Sequence, residues 1–165
     1  MSIALILPVS MAIGILAWSL LFAWHVHPVL RDKPLVEAVR PLLLLHTFRY
    51  IGLMFLIPGV TAEALDPRFA DPAAYGNLVA ALLALAALFI LPLSRRIGIL
   101  SIWVFNVWGL ADLLNAVARG LLHTPDGALG AAYWIPSLIV PLLMVSHVYI
   151  FGRLWLERRC VRAAG

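Results

Sequence analysis

Five long apolar stretches follow one another along the chain, separated by short polar connections. Each approaches the roughly 20 helical residues that cross a hydrocarbon core about 30 Å thick. Their bounds are Ile3–Trp24, Pro41–Val60, Tyr75–Leu93, Ile99–Ala118 and Ala132–Trp155. The pattern predicts an all-α fold, a polytopic integral membrane bundle of five transmembrane helices, with residues 1–165 in a single domain. The mean hydropathy of +1.00 excludes a soluble globular protein.

The basic residues are concentrated in alternate connections. If five helices alternate in direction, nine of the twelve Lys and Arg residues fall on one side: Arg31, Lys33, Arg40, Arg95, Arg96, Arg153, Arg158, Arg159 and Arg162. Short loops rich in Lys and Arg stay cytoplasmic, so we expect the N-terminus outside and the C-terminus in the cytoplasm. A multi-pass protein of the cell inner membrane follows. The net charge of +4 then suits anionic membrane lipids as partners and not nucleic acid.

Several common chemistries have no basis in the sequence. The single cysteine, Cys160, cannot form an internal disulfide, a CxxC pair or a thiolate zinc site. No phosphate-binding glycine loop, H-E-x-x-H or G-x-S-x-G pattern occurs. The apolar N-terminus lacks the basic region of a secretory signal, so we expect a retained helix. The sequence neither assigns nor excludes an enzyme.

The second apolar stretch carries polar side chains where lipid-facing helices carry none. His46, Arg49, Tyr50 and Leu53 recur at i, i+3, i+4 and i+7, which predicts one shared face turned into the bundle. An arginine keeps its charge, so Arg49 needs a carboxylate, carbonyls, water or an anionic ligand. The alternative is that its side chain extends along the helix to the near interface.

The fourth stretch is the most polar. One face carries a stripe at i, i+4, i+7 and i+11, formed by Trp108, Asp112, Asn115 and Arg119. Asn106 lies on nearly the opposite face, so the pattern predicts a helix in the centre of the bundle or at a subunit contact. Asp112 has three options: a pair with Arg49, a pair with Arg119, or a protonated carboxyl. A polar contact that only fixes helix packing is the structural alternative.

In the third stretch, Ala80, Ala84 and Ala87 recur at helical spacing, which predicts close helix packing.

The fifth stretch brings a second histidine to the depth of the first. His147 lies about as far from the cytoplasmic side as His46, and Pro136 and Pro141 free backbone carbonyls near mid-membrane. Two level histidines are compatible with bis-imidazole haem, with a proton relay or gate, or with hydrogen-bonded core packing.

A weaker metal candidate lies between the first two stretches. His25 and His27 form an H-x-H pair whose rings would point the same way in extended backbone and could bind a soft divalent metal. Only Asp32 is nearby as a third ligand.

The leading functional hypothesis is a small transporter- or channel-like protein for a small solute or proton. In it, Arg49 holds an anionic group or a carbonyl, Asp112 and Asn115 form the outer access, and His46 and His147 form the inner gate. One alternative is a membrane redox protein binding a b-type haem or quinone through the two histidines. Another is a lipid-binding or lipid-modifying protein with a pocket around Asp112. We expect a homo-oligomer or a subunit of a membrane complex.

Overall fold

The computed structural model describes the backbone of residues 3–163 and the side chains of residues 5–159. Over this part of the chain the backbone forms helices and turns without a β-strand. Five helical segments are long and apolar enough to cross a membrane: Leu5–Leu30, Leu35–Leu56, Pro67–Ile90, Arg95–His123 and Gly130–Arg159. The predicted all-helical chain with five candidate spans is confirmed. The side chains of Cys160 and Arg162 lie outside the described residues.

Six α-helices contribute to these spans. They are α1 (Ile3–Leu21), α2 (His27–Leu30), α3 (Leu35–Thr47), α4 (Pro67–Ile90), α5 (Arg95–His123) and α6 (Val140–Ala163). Two π-helical segments, Phe22–Val26 and Ile135–Ile139, and two 3-10 segments, Phe48–Leu56 and Gly130–Tyr133, complete the spans. Each span therefore runs through more residues than its apolar stretch alone.

Two prolines lie in the first turn of a helix and move the predicted boundaries of two spans. Pro67 occupies the first turn of α4 behind the N-cap Asp66, whose carboxylate accepts the backbone N–H of Arg68 at 2.8 Å. The third span therefore begins eight residues before the predicted Tyr75. Hydrogen bonds from the Arg68 side chain and backbone hold the pKa of Asp66 down at about 2. Pro28 likewise lies in the first turn of α2, so the first span continues to Leu30. The predicted start of the second span at Pro41 was wrong, because Pro41 lies inside α3 and the span begins at Leu35.

Contacts between connections define two ends of the bundle. At the end we call basic, the Arg153 guanidinium donates to the carbonyls of Leu30, Arg31 and Lys33 at 2.5, 3.0 and 2.5 Å. Arg95 pairs with Glu157 at the same end. The opposite end, which we call acidic, carries Glu63, Asp66, Asp71 and Asp126. There the Ala62 N–H donates to the Ala128 carbonyl at 3.0 Å. Successive spans therefore alternate in direction.

Small residues form the buried side of α4, which α5 follows directly. The Leu91–Ser94 turn is short enough to make the two helices antiparallel neighbours. Ala80, Ala84 and Ala87 are all fully buried, as the small-residue stripe predicts. Without side chains beyond Cβ at these positions, the helix backbones approach closely.

The buried interior has three layers from end to end. The basic-end core is apolar and contains, among others, Leu43, Ile102, Phe105, Ile150 and Leu154. The acidic-end core is also apolar and contains, among others, Phe55, Phe69, Leu129, Ala132 and Ile135. Between these two apolar layers lie the buried polar side chains, beside a third, smaller apolar cluster of Leu113, Val140 and Leu143.

The first span packs along the fifth at the edge of the bundle. A Cβ at Gly14 would lie 3.0 Å from the Ser137 carbonyl oxygen, which Pro141 leaves without its helical N–H partner. The Trp18 indole N–H donates to the neighbouring Leu138 carbonyl at 3.1 Å. The backbone disturbed by the prolines of the fifth span is thus covered by protein.

Replacing Ala84 by Leu should destabilise the protein by about 1–3 kcal/mol, because three extra carbons must fit between helices that already touch. Ala86→Leu is the matched control, since Ala86 is exposed on the same helix. Thermal unfolding in detergent measures both. Equal melting temperatures for the two variants would contradict the described burial of Ala84.

Candidate functional site

All buried polar side chains among the described residues lie in the middle layer. They are His46, Arg49, Asn77, Asn106, Asp112, Ser146 and His147, each no more than 9% exposed. We call this set the polar cluster. The second, third, fourth and fifth spans each contribute at least one member. The cluster therefore ties four spans together at mid-bundle.

The guanidinium of Arg49 is the centre of the cluster. Its Nη2 donates to Asp112 Oδ2 at 2.6 Å, its Nε to Asn77 Oδ1 at 2.8 Å, and its Nη1 to the Gly109 carbonyl at 3.0 Å. The Arg49 side chain has no exposed surface. Of the two options for Arg49, the structure has the internal partner and not a side chain extended to the interface. Asp112 pairs with Arg49, not with Arg119.

His147 is held as a neutral imidazole of defined tautomer. Arg49 Nη1 lies 3.2 Å from His147 Nε2, and a guanidinium can only donate, so Nε2 must be the unprotonated acceptor. The proton is then on Nδ1, which donates to Asn106 Oδ1 at 2.7 Å. The Asn106 amide in turn donates to the His147 carbonyl at 3.1 Å. Both ring nitrogens are occupied.

His46 joins the cluster through Ser146. The Ser146 hydroxyl donates to the Leu143 carbonyl at 2.8 Å, so it accepts from His46 Nε2 at 2.8 Å. The other nitrogen, His46 Nδ1, is buried and has no partner among the described residues. The rings of His46 and His147 lie 4.1 Å apart between centroids. The two histidines that the sequence placed at one depth are in contact.

A change of helix type aims Arg49 inward and Tyr50 outward. At Phe48 the α-helix gives way to a 3-10 helix, with three residues per turn. The buried face consequently runs through His46, Arg49, Gly52 and Phe55 at steps of three. The α-helical spacing predicted Tyr50 on this face, and that was wrong: Tyr50 is 51% exposed.

The polar stripe of α5 only partly enters the bundle. Asp112 is buried, but Trp108 is 47% exposed and Asn115 is also exposed. Arg119 donates to Asn115 Oδ1 at 3.0 Å and to the Arg68 carbonyl at 3.1 Å, so the stripe follows the outer seam between α4 and α5. Trp108, Asn115 and Arg119 therefore lie outside the polar cluster, whereas Asn106, from the opposite face, belongs to it.

Glycines make room for the cluster. A Cβ at Gly76 would lie 1.7 Å from Asp112 Oδ1, and one at Gly109 would lie 2.5 Å from His147 Cε1. At Gly52 an added Cβ would lie 2.7 Å from the Cβ of Asn77. Each glycine thus admits a polar side chain from a neighbouring span.

The histidine pair does not fit a haem. Bis-imidazole ligation needs two free nitrogens that face iron from opposite sides of the macrocycle. His147 has neither nitrogen free, and rings 4.1 Å apart leave no space for a macrocycle between them.

His25 and His27 do not form the expected metal pair. Residues 22–30 are helical and not extended, so side chains two positions apart diverge. Among the described residues, no group of three His, Cys, Asp or Glu side chains is placed to hold a metal ion.

A cavity approaches the cluster from the acidic end. It has a volume of about 50 Å³ and an apolar wall that includes Phe55, Leu113, Leu129 and Val140. Asn77, which accepts from Arg49, is among its lining residues. A second, wider cavity of about 370 Å³ shares Leu121, Thr124 and Leu129 with it and lies at the Pro125–Gly127 turn. The two cavities adjoin along these shared residues and extend from the turn at the acidic end to Asn77 of the polar cluster, and we call them together the cleft.

Comparison with protein-family models identifies the family of the chain. The family described as Domain of unknown function (DUF8737) matches residues 6–155. The chain belongs to this family. The matched region includes every residue of the polar cluster and the cleft. Neither the curated proteins nor the solved structures contain a match to the chain.

Sequence reasoning missed Asn77, Ser146 and the three glycines of this DUF8737 chain as part of the site. Asn77 was overlooked because the third stretch otherwise reads as packing. A detectable signal existed, since Asn77 is a lone amide inside an apolar stretch and follows Gly76 directly. The glycines carried no such signal, because the side chains they admit come from other spans.

The Arg49–Asp112 pair should show strong thermodynamic coupling. Arg49→Met or Asp112→Leu alone leaves one charge buried without its partner and should lower the free energy of unfolding by roughly 3–5 kcal/mol. The double variant should be less destabilised than the sum of the single variants, because no charge remains. Additive losses in a double-mutant cycle of unfolding would contradict the described pair.

Proposed function

We propose that this protein is a small proton-linked membrane transporter whose polar cluster is its gate. The observation that carries the proposal is the Arg49–Asp112 ion pair, in which Arg49 Nη2 lies 2.6 Å from Asp112 Oδ2. The pair lies between the two apolar layers of the interior. Asp112 is 11 residues from the end of α5 at His123, or about 16 Å along the helix. Ionisable groups so deep in a span are rare and mark substrate and proton pathways.

The surroundings of the gate support closure on one side. On the basic side, the packed apolar core separates the cluster from that end of the bundle. On the acidic side, the cleft reaches Asn77. A site that is approached from one end while an apolar core closes the other end is the arrangement expected of a carrier that opens to one side of the membrane at a time.

The charge distribution supports a membrane orientation. We place the basic end in the cytoplasm, since Arg31, Lys33, Arg95 and Arg153 gather there, and the N-terminus outside. The cleft would then open to the external side. The proposal also includes assembly as a homo-oligomer or with other membrane subunits. It includes residence in the inner membrane.

The apolar wall of the cleft favours a second candidate, a lipid-binding or lipid-modifying protein. Phe55, Leu113 and Leu129 could contact an acyl chain while the cluster contacts a polar head. The smaller cavity, at about 50 Å³, is too narrow for a long chain without movement of α1, so we rank this candidate second.

Purified protein in liposomes tests the transporter proposal. A pH-sensitive dye inside reports proton movement when small acids, amines and sugars are added outside one at a time. We expect at least one solute to move protons faster than in protein-free liposomes, and Asp112→Asn to lower that rate at least tenfold. Asp71→Asn, which alters an exposed carboxylate, should leave the rate unchanged. If every solute gives the protein-free rate, the transporter proposal fails.

A further inference from the structure

We infer that the cleft binds a short-chain aliphatic monocarboxylic acid, whose carboxylate replaces that of Asp112 at the Arg49 guanidinium. The inference rests on the proposed function and names its substrate class. It follows from the shape of the cavity, the arrangement of oxygens around Arg49 and the charge balance of the cluster.

Two oxygens from different residues occupy the edge of Arg49 that one carboxylate could bind. Nε and Nη2 form the edge of a guanidinium that can hold both oxygens of one carboxylate in parallel hydrogen bonds. Here the two oxygens come from different residues, Asn77 Oδ1 on Nε at 2.8 Å and Asp112 Oδ2 on Nη2 at 2.6 Å. One incoming carboxylate would satisfy both donors.

The Asn77 amide connects that edge of Arg49 to the cavity. Asn77 lines the cavity and receives the Nε hydrogen bond, so a ligand that displaces the amide reaches the guanidinium directly. Gly109 and His147 hold Nη1 on the opposite side and would keep the guanidinium in place. The site can therefore exchange its carboxylate without moving Arg49.

The apolar wall of the cavity favours an aliphatic tail on the ligand. Phe55, Leu113, Ile135 and Val140 would contact an apolar tail, and the volume of about 50 Å³ restricts it to a few carbons. Thr124 lies where the two cavities meet, and its buried hydroxyl has no partner among the described residues. A charged or strongly polar tail would lose its hydration in such a site.

The charge balance requires a proton to accompany the acid. The cluster holds one positive charge, Arg49, and one negative charge, Asp112, since His147 accepts at Nε2 and is neutral. The acid crosses the apolar cavity as its neutral form. Its O–H bond then breaks, the proton binds a carboxylate oxygen of Asp112, and the new carboxylate pairs with Arg49. Net charge stays at zero.

Few other groups face Asp112. Arg49 reaches it from the 3-10 segment, with His147 of α6 behind the guanidinium. From α4, Gly76 lies against Asp112 Oδ1. The titratable residue next to Gly76 in the sequence is Tyr75, which is exposed. His46 Nδ1 is also without a partner among the described residues, but Asp112 is the carboxylate that the ligand displaces from Arg49, so the incoming proton is assigned to Asp112.

Binding of butyrate to the purified full chain in detergent tests the inference by calorimetry between pH 6 and 8, where butyrate is ionised. We expect the apparent Kd to rise tenfold for each unit of pH, with uptake of one proton per butyrate bound. The neutral analogue butyramide should bind at least tenfold more weakly. In Asp112→Asn the proton acceptor is gone, so butyrate affinity should lose its pH dependence.

A second pair of variants keeps the test decisive if Asp112→Asn does not fold. Ala116 lines the cavity, so Ala116→Leu should weaken butyrate binding at least tenfold. Ala111→Leu, on an exposed position of the same helix, should bind like the wild type. Absence of butyrate binding at pH 6, or binding without proton uptake, would overturn the inference. Solute-dependent proton flux that depends on Asp112 would still leave the transporter proposal standing.

Discussion

A permanent positive charge at the middle of an apolar bundle is the constraint on which the other features depend. The Arg49 guanidinium cannot lose its proton, and burying it is costly unless protein groups accept its hydrogen bonds. Asp112 supplies the compensating charge, while Asn77, the Gly109 carbonyl and His147 supply the remaining acceptors. Four of the five spans are consequently positioned by one side chain.

Local backbone structure follows from that constraint. The 3-10 segment turns Arg49 to the same face as His46, and glycines at 76 and 109 let Asp112 and His147 approach. His147 must stay neutral to accept from Arg49, and Asn106 fixes the tautomer that allows this. A buried ion pair rarely adds net stability over apolar packing. The exchange of one carboxylate for another that we propose would account for its presence here.

The sequence predicted the spans and several cluster members because both depend on the contrast between polar residues and apolar surroundings. His46, Arg49, Asn106, Asp112 and His147 were all identified on that basis. Tyr50 was misplaced because the helix type changes at Phe48, and apolar periodicity does not report such a change. Trp108, Asn115 and Arg119 were expected at the site but lie outside the polar cluster. The α-helical spacing shows which residues share a face, but it does not show whether that face points into the bundle or along the boundary between two helices. The histidine and carboxylate levels were expected to be separate, yet Arg49 spans both and joins them.

The protonation state of His147 tests the central claim most directly, because only a correctly placed Arg49 guanidinium requires Nε2 to be an acceptor. Nitrogen-15 solid-state NMR of histidine-labelled protein in lipid bilayers reports both ring nitrogens, and His147→Asn assigns the signals. We predict one neutral tautomer at pH 7, protonated at Nδ1 and unprotonated at Nε2. A proton on Nε2, in either the other tautomer or the imidazolium, would contradict the account.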